Sequence, residues 1–284
     1  MEEKIKLGIS SCLLGNNVRW NGGHQRDRYL VETLGQFVEW VPVCPEVEVG
    51  LGIPRETLRL VGDADNPRLI TTKTKVDHTD AMQQWARGRL KDLAREDLCG
   101  FVFKCDSPSS GMVRVKVYNA KGHPEKKGVG IFARAFMDQF PLIPVEDDGR
   151  LHNPAIRENF IEQVFTLKRW RETRARRSCV GNVVDFHSRN KLLLMAHSPK
   201  HLKAMGKLVD LMITRHGLQV DREDFLGEIM ARETMNGQRG VHPPPWVEQR
   251  ESAGGGVLMY SAIHGIDRLR WLLDADVTEV VAQT

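Results

Sequence analysis

Short apolar runs alternate with amphipathic stretches along the first 145 or so residues. Runs of strand length occupy residues 6–13, 38–44, 98–104, 114–118 and 141–145, and apolar residues at helical spacing occupy residues 27–37, 79–94 and 129–140. Strands separated by helices of this length favour a mostly parallel sheet covered by helices on both faces. The pattern therefore predicts an α/β domain.

The pattern becomes helical after Pro154. It predicts helices over residues 157–177, 183–196, 199–215 and 222–235, and a long loop rich in Gly and Pro over residues 236–256. From Gly240 onward it indicates no particular element. A strand-and-helix half followed by a helical half predicts two domains. We place an α/β domain at residues 1–148 and an all-α domain at residues 149–284.

Composition narrows the class of protein. The chain has 284 residues, of which 41% are hydrophobic and 27% charged, as in ordinary folded proteins. It carries no apolar run of membrane-spanning length and no signal peptide before the first predicted strand, so we expect a cytoplasmic protein without a membrane partner. Nothing in the sequence indicates an oligomeric state. Five cysteines at irregular spacing argue against a disulfide framework and favour metal binding or catalysis.

Three of the cysteines lie where predicted strands end. Cys12 ends the first strand, Cys44 ends the second, and Cys105 follows the third. The carboxyl ends of parallel strands meet in the crevice where ligands bind, so three thiols there would form a site for a metal cluster. The alternative is that they are small core residues, as we expect for Cys99 and Cys179.

Two polar residues stand beside these cysteines. Glu46 lies two residues after Cys44, and its carboxylate could move protons or cap a loop. Ser107 lies two residues after Cys105, and its hydroxyl could orient a substrate or belong to an ordinary turn.

The loops around these residues resemble those of the thiouracil desulfidase family. The resemblance covers residues 5–145 and rests on the segments Ser10-Ser-Cys-Leu-Leu-Gly15, Val18-Arg-Trp-Asn-Gly22, Pro42-Val-Cys-Pro-Glu46, Gly50-Leu-Gly-Ile-Pro-Arg55 and Lys104-Cys-Asp-Ser-Pro-Ser-Ser-Gly111. It implies a 4Fe–4S cluster held by three cysteines, with one iron open to take sulfur from a thiolated pyrimidine. Release of sulfide then leaves a carbonyl group, without net redox change.

The resemblance also implies individual roles. Cys12 and Cys44 correspond to the first two ligands, Glu46 to the residue that activates water or protonates the substrate, and Ser107 to the serine that opens the third loop.

The third loop departs from the family pattern. The family form reads Ser-Pro-Ser-Cys-Gly, whereas here Ser110 stands at the expected ligand position. Either Cys105 supplies the third thiolate from a shifted position, or Ser110 is a natural or engineered substitution that weakens or removes the cluster. We favour Cys105, because an alkoxide is a harder and more basic ligand than a thiolate.

A basic segment, residues 168–177, contains six basic residues and one acidic residue. It is typical either of a solvated helix end or of a surface that contacts phosphates, and we favour phosphates. His187 and Lys191 are four residues apart and share a helical face. The expected RNA-binding residues are Lys168, Arg169, Arg171, Arg174, Arg176, Arg177, His187 and Lys191.

Residues 155–210 resemble a helical domain that is often fused behind the desulfidase domain. The fused proteins are similar to enzymes that remove sulfur from 4-thiouridine in tRNA, which implies the same substrate and a tRNA partner here. One alternative is an enzyme that acts on free thiouracil or thiolated nucleosides, with the helical domain serving dimerisation or packing. The other is a non-enzymatic protein that binds modified RNA.

Overall fold

A computed structural model describes residues 4–175 and 180–214. Its strands are β1 (Ile5–Ser10), β2 (Val38–Val43), β3 (Leu58–Gly62), β4 (Pro67–Thr71), β5 (Phe101–Phe103), β6 (Val115–Tyr118), β7 (Pro124–Gly128) and β8 (Val145–Asp147). Its α-helices are α1 (Pro45–Glu48), α2 (Thr79–Leu93), α3 (Ile131–Gln139), α4 (Pro154–Ala175), α5 (Val180–Arg189), α6 (Lys191–His197) and α7 (Pro199–Thr214). The chain divides between Lys168 and Arg169 into two compact units.

A four-stranded parallel sheet forms the centre of the first unit. Its strand order is β2-β1-β5-β8, and neighbouring strands are parallel throughout. The inner strands β1 and β5 are almost entirely buried, as is typical of strands covered on both faces. The predicted α/β fold with a mostly parallel sheet is confirmed.

Helices cover both faces of this sheet. On one face the rings of Phe101 and Phe103 pack against Phe136 of α3, with centroid distances of 4.7 and 5.7 Å. On the other face Gly100 lies directly beneath Val164 of α4, and a Cβ atom at Gly100 would meet the Val164 side chain at 2.8 Å. The absence of a side chain at residue 100 thus lets α4 approach the sheet closely.

A second four-stranded sheet lies in the first unit and was not predicted. Its order is β4-β3-β6-β7, with β3 and β6 parallel and both outer pairs antiparallel. The segment 114–118 is a strand as expected, but it belongs to this sheet. The pattern missed β7 because its residues Pro124–Lys127 are all exposed and polar or proline, so they carry no apolar alternation.

Two predicted helices differ from the structure. Residues 27–37 form a π-helical turn (Tyr29–Thr33) followed by a 3₁₀ turn (Leu34–Gln36) in place of an α-helix. The helix predicted over residues 183–196 is interrupted at Asn190, whose side-chain amide donates to the Phe186 carbonyl at 2.7 Å. The helix predicted at 222–235 and the loop at 236–256 lie outside the described residues.

The described part of the second unit is helical. Trp170 near the end of α4 is 1% exposed, and its ring lies 5.0 Å from that of Phe186 on α5. This ring contact packs the end of α4 against α5 within the second unit. Within residues 4–175 and 180–214, none of the helices combines the length and the apolar character needed to cross a membrane.

Candidate functional site

The carboxyl ends of three of the four parallel strands, β2, β1 and β5, open into one cavity. Cys44, Cys12, Cys105 and Asp148 follow β2, β1, β5 and β8, which is the order of the strands in the sheet. The cavity has a volume of about 450 Å³. Its lining includes all three of these thiols, together with Glu46, Ser107 and Ser110. The structure therefore brings every predicted cluster and catalytic residue to one place, while their roles stay predictions.

The thiols of Cys12 and Cys44 are partly buried and close to a carboxylate. Burial, followed by the charge of Glu46, raises the pKa of Cys12 to about 11. Burial, followed again by the charge of Glu46, raises the pKa of Cys44 to about 12, and the charge of Cys12 raises it further. Both thiols are therefore protonated at neutral pH in the protein without a metal. Binding of a metal would release their protons.

Cys105 lies in a different electrostatic setting. The Nζ atom of Lys104 is 2.9 Å from its Sγ atom and 2.9 Å from Oδ2 of Asp148. The Cys105 amide also donates to Oδ1 of Asp148 at 2.7 Å. Burial raises the pKa of the Cys105 thiol, and the hydrogen bond from Lys104 opposes that rise. Sequence reasoning missed Lys104 and Asp148, although Asp148 stands at a strand end like the cysteines.

The Glu46 carboxylate is held from two sides. The Ser109 hydroxyl donates to Oε1, and Oε2 lies 3.9 Å from Arg55 and 3.7 Å from Sγ of Cys44. Arg55 is nearly buried and also donates to the carbonyl of Val18 at 2.9 Å. Glu46 therefore has a fixed position beside a thiol. Ser109 and Arg55 lie in the segments that carried the family resemblance, but neither was singled out.

The third loop is ordered by its own serines. The Ser107 hydroxyl accepts from the Ser110 amide at 3.1 Å and lies 3.1 Å from the Ser109 hydroxyl. The first turn of α3 packs directly on this loop, since a Cβ atom at Gly130 would meet the Ser109 carbonyl carbon at 2.5 Å. Ser107 thus shapes the loop that presents Ser110, which is only 3% exposed, to the cavity.

Trp20 forms part of the cavity rim. Its side chain lines the cavity and is nevertheless 47% exposed. Its carbonyl accepts from the amide of Arg55 at 2.8 Å, which ties the two loops together. An exposed aromatic ring at the mouth of a cavity can stack on a planar base.

The expected RNA-binding residues are not equally accessible. Arg174 and Lys191 are exposed, whereas Lys168, Arg169, Arg171 and His187 are half-buried. Arg169 donates to Oδ1 of Asn190 at 3.1 Å. Burial, and then the charge of Lys191, lowers the pKa of His187, so this imidazole is neutral at neutral pH. Arg176 and Arg177 lie outside the described residues.

Comparison with known proteins gives one similar solved structure, that of the 4Fe–4S-dependent thiouracil desulfidase TudS. The two are 25% identical, with a TM-score of 0.43, and the similarity covers 53% of this chain and 93% of TudS. A search of curated proteins finds no match. A sequence model described as the GFO/IDH/MocA C-terminal domain matches residues 219–284, which lie outside the described residues.

A second sequence model matches the α/β part of the chain. The sequence model of 2-thiouracil desulfurase covers residues 7–148, which is half of the chain, and contains every residue that lines the cavity. The match ends at Asp148, whereas the compact unit extends to Lys168 because the first part of α4 packs on the sheet. The chain therefore belongs to the 2-thiouracil desulfurase family.

Proposed function

We propose that this protein removes sulfur from a thiolated pyrimidine and that its substrate is 4-thiouridine in tRNA. The observation that carries the reaction class is the convergence of three cysteine thiols and Glu46 in one cavity of a member of this family. Membership of the family supports the thiopyrimidine. The tRNA substrate rests on the basic segment, residues 168–177, and on the helical region that follows the desulfidase domain.

The donor set fits a 4Fe–4S cluster. Thiolates are the ligands that iron–sulfur clusters take in proteins, and Cys12, Cys44 and Cys105 follow three adjacent strands. We assign these three residues as the ligands. When bound, a cluster with three protein ligands supplies an open iron that can accept the sulfur of a thiocarbonyl group.

The remaining chemistry is proton transfer by residues of this chain. Exchange of the thiocarbonyl sulfur for the oxygen of water removes both protons from the water molecule and delivers two protons to the departing sulfide, which leaves as hydrogen sulfide. We assign both transfers to Glu46, whose Oε1 accepts from Ser109 while Oε2 lies 3.7 Å from Sγ of Cys44. Arg55 and Ser109 position the carboxylate, and no oxidant or reductant is needed.

The test compares two substrates. Protein reconstituted anaerobically with iron and sulfide is incubated with 4-thiouracil and with tRNA containing 4-thiouridine, and released sulfide is measured over time. We expect a higher kcat/KM for the tRNA, and no turnover by the Cys12→Ala/Cys44→Ala variant.

The other outcomes contradict the proposal in different ways. A higher kcat/KM for 4-thiouracil would identify an enzyme for the free base and overturn the tRNA substrate. Binding of thiolated tRNA without sulfide release, by protein that contains iron and sulfide, would overturn the enzymatic function and identify a protein that binds modified RNA.

A further inference from the structure

The solvent face of the second sheet carries a row of positive charges. Arg59 on β3 and Lys116 on β6 each precede a buried, paired position, Leu60 and Val117, so both point away from the core. Lys116 pairs directly with Lys126 on the edge strand β7. Three cations therefore lie side by side across three adjacent strands, which are about 4.8 Å apart.

An aromatic residue completes this surface. Tyr118 lies on the same face as Lys116, two residues further along β6, and the Arg59 guanidinium stands over its ring at 5.1 Å from the centroid. We call Arg59, Lys116, Lys126 and Tyr118 the basic face.

Such an arrangement costs stability within the isolated protein. Like charges directly opposite each other on neighbouring strands repel. Within residues 4–175 and 180–214, none of the three cations forms an ion pair, and the Nε atom of Arg59 is buried without a hydrogen-bond partner there. The charges are therefore not explained by acidic neighbours in the described chain. They are complementary to an external polyanion.

Protection of the sheet edge explains only part of the row. Lysine and proline on an edge strand discourage pairing with another chain, which accounts for Pro124 and Lys126 on β7. Arg59 and Lys116 lie on the two inner strands β3 and β6, where no edge needs protection.

The basic face begins beside the cavity. Leu58 lines the cavity, and Arg59 is the next residue along β3. A phosphate group bound at Arg59 would therefore lie one residue along β3 from the lining of the cavity. An enzyme that acts on a base of folded RNA must hold the backbone while the base is extruded.

We propose that the basic face binds the phosphate backbone of the RNA substrate next to the base that enters the cavity. The inference rests on the proposed function and deepens it, because it assigns an RNA contact to the desulfidase domain itself. Lys116 and Lys126 contact phosphates, and Tyr118 offers a ring on which a neighbouring base can stack.

The test uses two double variants of the full-length protein that each remove two positive charges. Lys116→Gln/Lys126→Gln changes the basic face, and Arg87→Gln/Lys91→Gln changes exposed cations on α2 as a matched control. Binding of tRNA containing 4-thiouridine is measured by fluorescence anisotropy over a series of salt concentrations. Turnover of free 4-thiouracil and the melting temperature are measured alongside.

We expect the basic-face variant to bind tRNA about tenfold or more weakly at 0.1 M salt, with a salt slope shallower by about 1.4–1.8, since each of the two lost phosphate contacts removes about 0.7–0.9 from the slope. The control variant should bind like the wild type. The charge-preserving variant Lys116→Arg/Lys126→Arg should retain binding. Turnover of 4-thiouracil and the melting temperature should stay unchanged in all variants.

Two failures are distinguishable. If the wild-type protein binds tRNA and the basic-face variant binds it equally well, this inference is wrong and the proposed function still stands. Wild-type protein that does not bind tRNA would overturn the tRNA substrate itself, and with it the basis of the inference.

Discussion

The ammonium group of Lys104 lies 2.9 Å from the Sγ atom of Cys105. A cation in contact with a sulfur atom favours the thiolate, which is the form that binds metals. We therefore expect Cys105→Ala to lose most of its iron and sulfide after anaerobic reconstitution, whereas Ser110→Ala should keep both. Iron and sulfide assays together with the visible absorption spectrum measure this difference.

A rescue variant provides the control for Cys105. Ser110 lines the same cavity, so Cys105→Ala/Ser110→Cys should regain iron by placing a thiol where the family pattern has one. If Cys105→Ala alone retained its cluster and Ser110→Ala lost it, Ser110 would be the third ligand and our assignment would be wrong.

Glu46 should affect turnover and not cluster content. Glu46→Gln keeps the shape of the side chain but removes its capacity to accept a proton, so we expect kcat to fall by about 10²–10⁴. Iron content should match the wild type, because the carboxylate is not among the proposed ligands. Ser109→Ala, which removes only one hydrogen bond to Glu46, should lower kcat less. Wild-type kcat in Glu46→Gln would exclude this residue as the proton-transfer group.

The raised thiol pKa values predict slow alkylation of the metal-free protein. Taking a pKa of about 11 for Cys12 against an ordinary 9.0, the thiolate fraction at pH 8 is about one in a thousand in place of about one in ten. Labelling of Cys12 by iodoacetamide should thus be about 100-fold slower than in the unfolded chain and should rise about tenfold per pH unit up to pH 10. Mass spectrometric mapping measures both rates.

The same shift has a consequence for stability. Because the folded-state pKa of each thiol lies above its unfolded value, the contribution of these thiols to the free energy of unfolding is fully present below pH 9. This contribution is lost as the pH rises toward 11 for Cys12 and toward 12 for Cys44.

Equal labelling rates in folded and unfolded protein at pH 8 would contradict these pKa shifts.

The location of the three cysteines at the ends of strands could be predicted from the sequence, because a strand is visible as an apolar run and its end as a change to loop residues such as Gly, Pro or Ser. Cys12, Cys44 and Cys105 follow adjacent parallel strands, and this topology alone brings them to one edge. The second sheet could not be predicted in the same way. Its strand β7 has no apolar alternation, and β3 depends on pairing with β6, which lies more than fifty residues later in the chain.

Contacts that decide the chemistry were also beyond the sequence pattern. Lys104 and Asp148 are 44 residues apart, and their ion pair at 2.9 Å depends on β5 lying next to β8. The Ser109–Glu46 contact likewise joins loops that follow different strands. The last strand was predicted over residues 141–145, whereas β8 is Val145–Asp147, so its predicted end did not point to Asp148. A single hydroxyl such as that of Ser109 carries no signal by itself.

Trp20 should contribute to substrate binding and not to the chemical step. Its ring is 47% exposed at the cavity rim, and only its backbone is hydrogen-bonded to Arg55, so truncation should leave the fold intact. Stacking of a base on an aromatic ring contributes about 1–3 kcal/mol, so Trp20→Ala should raise KM roughly 5- to 150-fold with kcat nearly unchanged. Trp20→Phe should recover most of the affinity, because phenylalanine keeps a planar ring. Steady-state kinetics on 4-thiouracil and on thiolated tRNA measure both constants, and a KM in Trp20→Ala equal to that of the wild type on both substrates would show that the ring does not contact the base.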